Sequence, residues 1–123
     1  MVYKHIVMWK FREQHNGKSA LENARWMKEQ LEGLVGVVPE LLSAEVGISP
    51  ALEQAATVPS NAAADAAAPA PAASGEYDAC LVSTFAAPEA LAAYKVHPKH
   101  KAISAYCKEA RIKRLAFDWW SEE

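Results

Sequence analysis

Between residues 94 and 100 the chain reads Tyr-Lys-Val-His-Pro-Lys-His, which gathers a phenol and two imidazoles around one proline. Imidazoles titrate near neutral pH and a phenol both donates and accepts hydrogen bonds, so these side chains suit proton transfer to and from a small molecule. Pro98 fixes its own φ, carries no N–H and disfavours a helical residue before it. One helix should therefore end near Val96 and His97, and another should open at Pro98. That places Tyr94 in the last turn of the first helix and His100 in the first turn of the second, facing one junction. The plainer reading of the same residues is a capped helix junction with surface histidines, since polar side chains at helix ends commonly serve the backbone. His5 is the other candidate. It is the lone titratable group on one face of an apolar strand, equally at home as a hydrogen-bonded core histidine.

These groups need a scaffold, and its elements are written in the periodicities. Residues 2–11 read as a strand with Tyr3, His5, Val7, Trp9 and Phe11 on one face and Ile6 and Met8 on the other, so both faces need cover. A polar loop over Arg12 to Lys18 leads to a capping box, Ser19 with Glu22, and to a helix whose apolar stripe runs through Leu21, Ala24, Leu31 and Leu34 before Gly33 and Gly36 end it. Trp26 lies off that stripe. Pro39 to Ile48 form a second strand, apolar through Leu42, Ala44, Val46 and Ile48, with Glu45 pointing the other way. Tyr77 to Phe85 form a third, apolar on both faces at its centre. Two short helices follow from Pro88 and Pro98, and Ile112 to Trp120 close the chain with Leu115, Phe117 and Trp119 on one face.

The order is β-α-β-β-α(α)-β, a ferredoxin-like α+β fold with an antiparallel four-stranded sheet and helices on one face. The whole of 1–123 reads as a single domain with a flexible Ala/Pro-rich insertion at about 51–75, in which Leu52 to Val58 have room for a helical turn. Helices cover only one side of such a sheet, so apolar strand centres on the second side call for a second copy of the chain. The expected architecture is a homodimeric α/β barrel, with Trp119 and Trp120 as candidate contacts.

Composition narrows the function. A net charge of −2 with interspersed signs leaves no basic footprint for nucleic acid, and no apolar run reaches membrane-spanning length. The N-terminal residues enter a strand pattern directly, without a signal peptide, and Cys80 and Cys107 form no CxxC pair, so reduced thiols in a cytoplasmic protein are expected.

Three stretches in order, residues 4–11 (Lys-His-Ile-Val-Met-Trp-Lys-Phe), 34–40 (Leu-Val-Gly-Val-Val-Pro-Glu) and 92–100 ending in His-Pro-Lys-His, resemble the stress-responsive dimeric A/B barrel family. That family includes olivetolic acid cyclase, which closes a linear polyketide by aldol condensation. The resemblance implies a cleft between sheet and helices in which His100 is the base, Tyr94 orients the substrate carbonyl, and His5 and His97 support them. Ala79 stands where the cyclase carries a further histidine. No cofactor is implied for the chemistry. Some relatives hold magnesium on backbone carbonyls, which here would be those of Val35, Val38 and Leu41. Three functions follow as expectations: a non-catalytic dimeric barrel of unassigned biochemical role with room for a small apolar ligand, a polyketide cyclase or lyase, or a haem- or quinone-handling monooxygenase of the same architecture.

Overall fold

The computed structural model describes residues 1–57 and 76–122. Its four-stranded sheet is built from β1 (Val2–Phe11), β4 (Ser43–Ile48), β5 (Ala79–Phe85) and β6 (Arg111–Ser121), in the order β4-β5-β1-β6 with every pair antiparallel. Between β1 and the first helix lies a miniature hairpin, β2 (Gln14–His15) and β3 (Lys18–Ser19). The expected polar loop is thus a turn with Asn16 at φ 57° and Gly17 at φ 75°, the Asn-Gly conformation that tight hairpins favour.

Helix α1 (Ala20–Glu32) opens on the expected capping box, Ser19 accepting the Glu22 amide and Glu22 accepting the Ser19 amide. The second strand is shorter than expected because the Val38 and Leu41 amides are taken up by turn hydrogen bonds, and pairing with β5 begins only where the half-exposed Leu42 donates its amide to the Thr84 carbonyl. Pro50–Thr57 form helix α2, so the start of the expected insertion is helical, and the rest of it lies outside the described residues. Helices α3 (Pro88–Val96) and α4 (Pro98–Ala110) break at His97 as the proline requires.

The odd residues of β1 and β5 alternate into the core, where Val7, Trp9, Phe11, Leu81 and Phe85 are each 5% exposed or less. Helices α1, α3 and α4 cover them, with Tyr94 of α3 on Phe85. On the other face the register aligns Ile6 with Val82 and Phe117, and Met8 with Cys80 and Leu115. No element of the described chain covers that row, and Phe117 and Leu115 remain 63% and 51% exposed. Trp119 shares the face, its ring 5.8 Å from Phe117. Trp120 does not. It pairs with Tyr3 on the helix side, edge-on at 5.1 Å, because neighbouring strand residues point to opposite faces.

One buried carboxylate fixes the end of β1. Asp78 is 4% exposed, accepts the Phe11 amide at 2.9 Å and the Lys10 ammonium at 3.2 Å, and donates its own amide to the Trp9 carbonyl at 2.7 Å. Asp78→Ala strands the Phe11 amide, and should lower the unfolding free energy by about 2 kcal/mol in urea titrations, whereas Asp78→Asn should recover part of it.

Candidate active site

A cavity of about 290 Å³ lies between the sheet and helices α1 and α4. Its floor is His5, Val7, Trp9 and Leu81, and its roof includes Met27 and Leu31 from α1 and Ile103 and Cys107 from α4. The mouth falls at β6, where no helix packs on the inward-facing row and Arg114 and Ala116 are exposed. This volume is at the small end of ligand-sized pockets.

His5 reaches the cavity because it occupies an inward position of β1, where it is 4% exposed. The register sets Asp118 of β6 directly opposite, and Nδ1 of His5 lies 2.5 Å from Oδ1 of Asp118. A carboxylate oxygen accepts, so the Nδ1 proton is the donor and the lone pair of the neutral ring is on Nε2. Burial pulls the His5 pKa below the ordinary imidazole value, with Asp118 opposing that shift.

His100 is held in the same tautomer by different means. It sits in the first turn of α4, half buried, with Nδ1 at 3.2 Å from the Lys95 carbonyl in the last turn of α3. A carbonyl only accepts, so Nδ1–H donates here too and Nε2 carries the lone pair. Burial lowers the His100 pKa, the Lys95 carbonyl works against that shift, and the neighbouring His5 adds to it. The site therefore holds two neutral imidazoles at neutral pH. Cys107 lines the same cavity, but burial pushes its thiol up to about 11, which leaves it protonated and a poor nucleophile.

Of the expected site residues, His5 and His100 meet in the cavity, and the other two do not line it. Tyr94 is fully buried beneath His100, its ring 4.3 Å from the imidazole and 5.1 Å from Phe85. Its hydroxyl has no hydrogen-bond partner, and burial drives the phenol far above its ordinary pKa, so it stays a neutral donor. His97 is not among the residues that line the cavity. Its Nδ1 accepts the Lys99 amide at 3.1 Å, so the side chain N-caps α4. Ala79 is buried opposite Trp9 in the sheet and does not line the cavity. Asp118 and Arg114 were missed in the sequence because strand pairing over more than a hundred residues places them. The available signal was one acid and one base in the row of β6 opposite Leu115, Phe117 and Trp119.

The carbonyls of Val35, Val38 and Leu41 belong to the tight turns between α1 and β4. The Val38 carbonyl already accepts the Leu41 amide at 3.1 Å, closing the turn on itself. Among the described residues no three His, Cys, Asp or Glu side chains gather as a metal-binding group, and no helix is long and apolar enough to cross a membrane.

Fold and cavity together define a ferredoxin-like α+β protein with a ligand-sized space between sheet and helices. The model of the stress responsive A/B barrel domain matches residues 3–67 and 63–121, and the chain belongs to that family. No curated protein matches it. Among solved structures it is similar to a dimeric ferredoxin-like protein of unknown function from Bacteroides fragilis (22% identity, TM-score 0.71, 98% of this chain and 96% of that one). It is also similar to a Dabb family protein from Mesorhizobium loti (14%, 0.61, 99% and 98%) and to the hydroxynitrile lyase of Passiflora edulis (14%, 0.66, 99% and 95%). At such identities the likeness is one of fold.

The lowered imidazole pKa values set a pH dependence of stability. Below the ordinary imidazole pKa of 6.5 the unfolded chain binds more protons than the folded one at His5 and His100, so stability rises with pH through that window and falls as pH drops. Urea midpoints measured from pH 5 to 7.5 should increase, and the slope should flatten when both histidines are Gln. Glu32, held below the ordinary carboxylate range by Lys28 and the Val46 amide, acts at lower pH and does not confuse that window.

Proposed function

We propose that the protein is a homodimeric acid–base enzyme of the lyase or cyclase class, in which Nε2 of His100 removes a proton from carbon next to a carbonyl. The observation that carries this reading is the His100 Nδ1 contact with the Lys95 carbonyl, which leaves the lone pair on Nε2 of a ring that lines the cavity. As the C–H bond breaks, the proton passes to Nε2 and the electron pair moves into an enolate. Lys95 and Arg114 supply positive charge for the oxygen that becomes anionic. The enolate carbon then bonds to a second carbonyl carbon, and the alkoxide formed takes the proton back from His100. Run in reverse, His100 takes a hydroxyl proton while a carbon–carbon bond breaks. The hydroxynitrile lyase name of the Passiflora edulis neighbour falls in the same class of reaction.

His5, held by Asp118 and lining the same cavity, is the second proton carrier in this scheme. Tyr94 lies beneath His100 with an orphaned hydroxyl, and in this scheme that hydroxyl is a reserve donor for the substrate carbonyl. An unpaired buried hydroxyl costs about 1–3 kcal/mol, which an incoming substrate oxygen relieves once the His100 ring edge moves aside.

The test uses wash-out of deuterium from the α-carbon of linear 1,3-diketones, followed by NMR. His100→Gln should slow it by about 10²–10⁴-fold. Tyr94→Phe should slow it about 10-fold while raising stability by about 1 kcal/mol, because the orphan is gone. Exchange unchanged in both variants would sink the acid–base reading.

Pairing of two copies through Ile6, Met8, Val82, Leu115, Phe117 and Trp119 completes the proposal, supported by an open apolar face and by neighbours described as dimeric. Phe117→Glu places a charge at the centre of that face and should convert the dimer to monomer in sedimentation. An unchanged dimer would place the interface elsewhere.

A further inference from the structure

The net charge of −2 conceals a local imbalance, because residues 95–114 hold seven of the chain's 13 lysines and arginines and a single acid, Glu109. Within that stretch Lys101, Ser104 and Lys108 fall at positions i, i+3 and i+7 of α4, so they form one row along its surface, and Arg111 at the end of the helix continues it. Lys101, Ser104 and Lys108 are all exposed. Two contacts fix which way the row faces. Tyr106, on the far side of α4, packs on α1 with its ring 4.5 Å from that of Trp26, whereas Ser104 and Arg111 line the cavity together with His100. The row therefore runs along the rim of the cavity, with Lys101 and Lys108 outside the lining. Among the described residues Lys101, Lys108 and Arg111 make no salt bridge.

We infer that this row docks an acidic helix of a partner protein, which lies along α4 beside the cavity. Lys101 and Lys108 are about 10 Å apart along the helix axis, too far for one phosphate or carboxylate to meet both. Glutamates three, four and seven residues apart on a partner helix repeat at the same pitch as the row, so the two helices pair charge for charge. Ser104 and Ala105 between the lysines are small, which lets such a helix come close. Nucleic acid fits the row less well. It carries no aromatic side chain for a base to stack on, and the acids that make the rest of the chain negative repel a polyanion. A lipid surface calls for large apolar side chains beside the cations, where α4 has Ala102 and Ala105. The dock is independent of the acid–base reading, since Lys95 and Arg114, which serve the reacting oxygen there, are not part of the row.

The experiment follows backbone amide NMR shifts of the full chain at pH 7.5 and low salt. The probes are a helical peptide with Glu at positions i, i+4, i+7 and i+11 of one face, its Gln counterpart, oligothymidylate and phosphatidylglycerol vesicles. The Glu peptide should bind at least 10-fold more tightly than the Gln peptide, shift the amides of Lys101, Ser104 and Lys108 most, and lose affinity as salt is raised. Lys101→Gln combined with Lys108→Gln should weaken it at least 10-fold, and both sites are exposed, so the fold should be unaffected. Lys99→Gln, an exposed cation off the row, should leave affinity within 2-fold. Equal affinity for the Glu and Gln peptides, shifts confined to other elements, or binding that survives the double variant would overturn the dock. Oligothymidylate or vesicles binding through these lysines more tightly than the Glu peptide would assign the row to nucleic acid or to a lipid surface and overturn the partner class.

Discussion

An imidazole has two nitrogens and, when neutral, one proton, so whatever accepts that proton decides which nitrogen is left as a base. In this protein the decision is made twice by the backbone fold. For His5 the acceptor is a carboxylate delivered by the neighbouring strand, and for His100 it is a carbonyl in the last turn of the preceding helix. Both leave Nε2 with the lone pair, and burial keeps both rings uncharged at neutral pH. Charge on either ring would put a cation in a cavity already lined by Lys95, Arg111 and Arg114. The helix break at Pro98, the register between β1 and β6, and the packing of Tyr94 under His100 all serve that one arrangement.

The sheet sets the boundary conditions. Its helix side is a closed core except along β6, where the uncovered row gives the cavity its mouth. Its other side carries Ile6, Met8, Leu115 and Phe117, an apolar row too extensive to be routine surface. The two faces do separate tasks. One encloses a cavity within a single chain, and the other leaves an apolar row open for a second chain, so a substitution on the outer row can alter assembly without touching the histidines.

Much of this was legible in the sequence because local rules dictated it. Ser19 and Glu22 announce a helix start whatever surrounds them, and Pro98 separates α3 from α4 and so sets the Tyr94 and His100 rings together. Strand alternation was equally readable at His5, Val7 and Trp9. The Asn16-Gly17 pair was readable in principle as a hairpin signal, and the polar composition around it hid two very short strands. His97 illustrates the opposite limit. Its type suggested chemistry, and its place before a proline made it the helix cap. Asp118 and Arg114 were not legible, since their partners His5 and Trp9 are brought opposite them only by pairing the chain's two ends. Nor was the depth of Tyr94, which depends on Phe85 and His100 closing over it.

The central claim is that His5 and His100 are neutral with the proton on Nδ1 and a free pair on Nε2. Long-range proton–nitrogen correlation spectra of the imidazoles at pH 7 report this directly, because protonated and unprotonated ring nitrogens resonate far apart. The account predicts an unprotonated Nε2 for both residues. A proton on Nε2 of His100, or an imidazolium pattern for either ring, would contradict it.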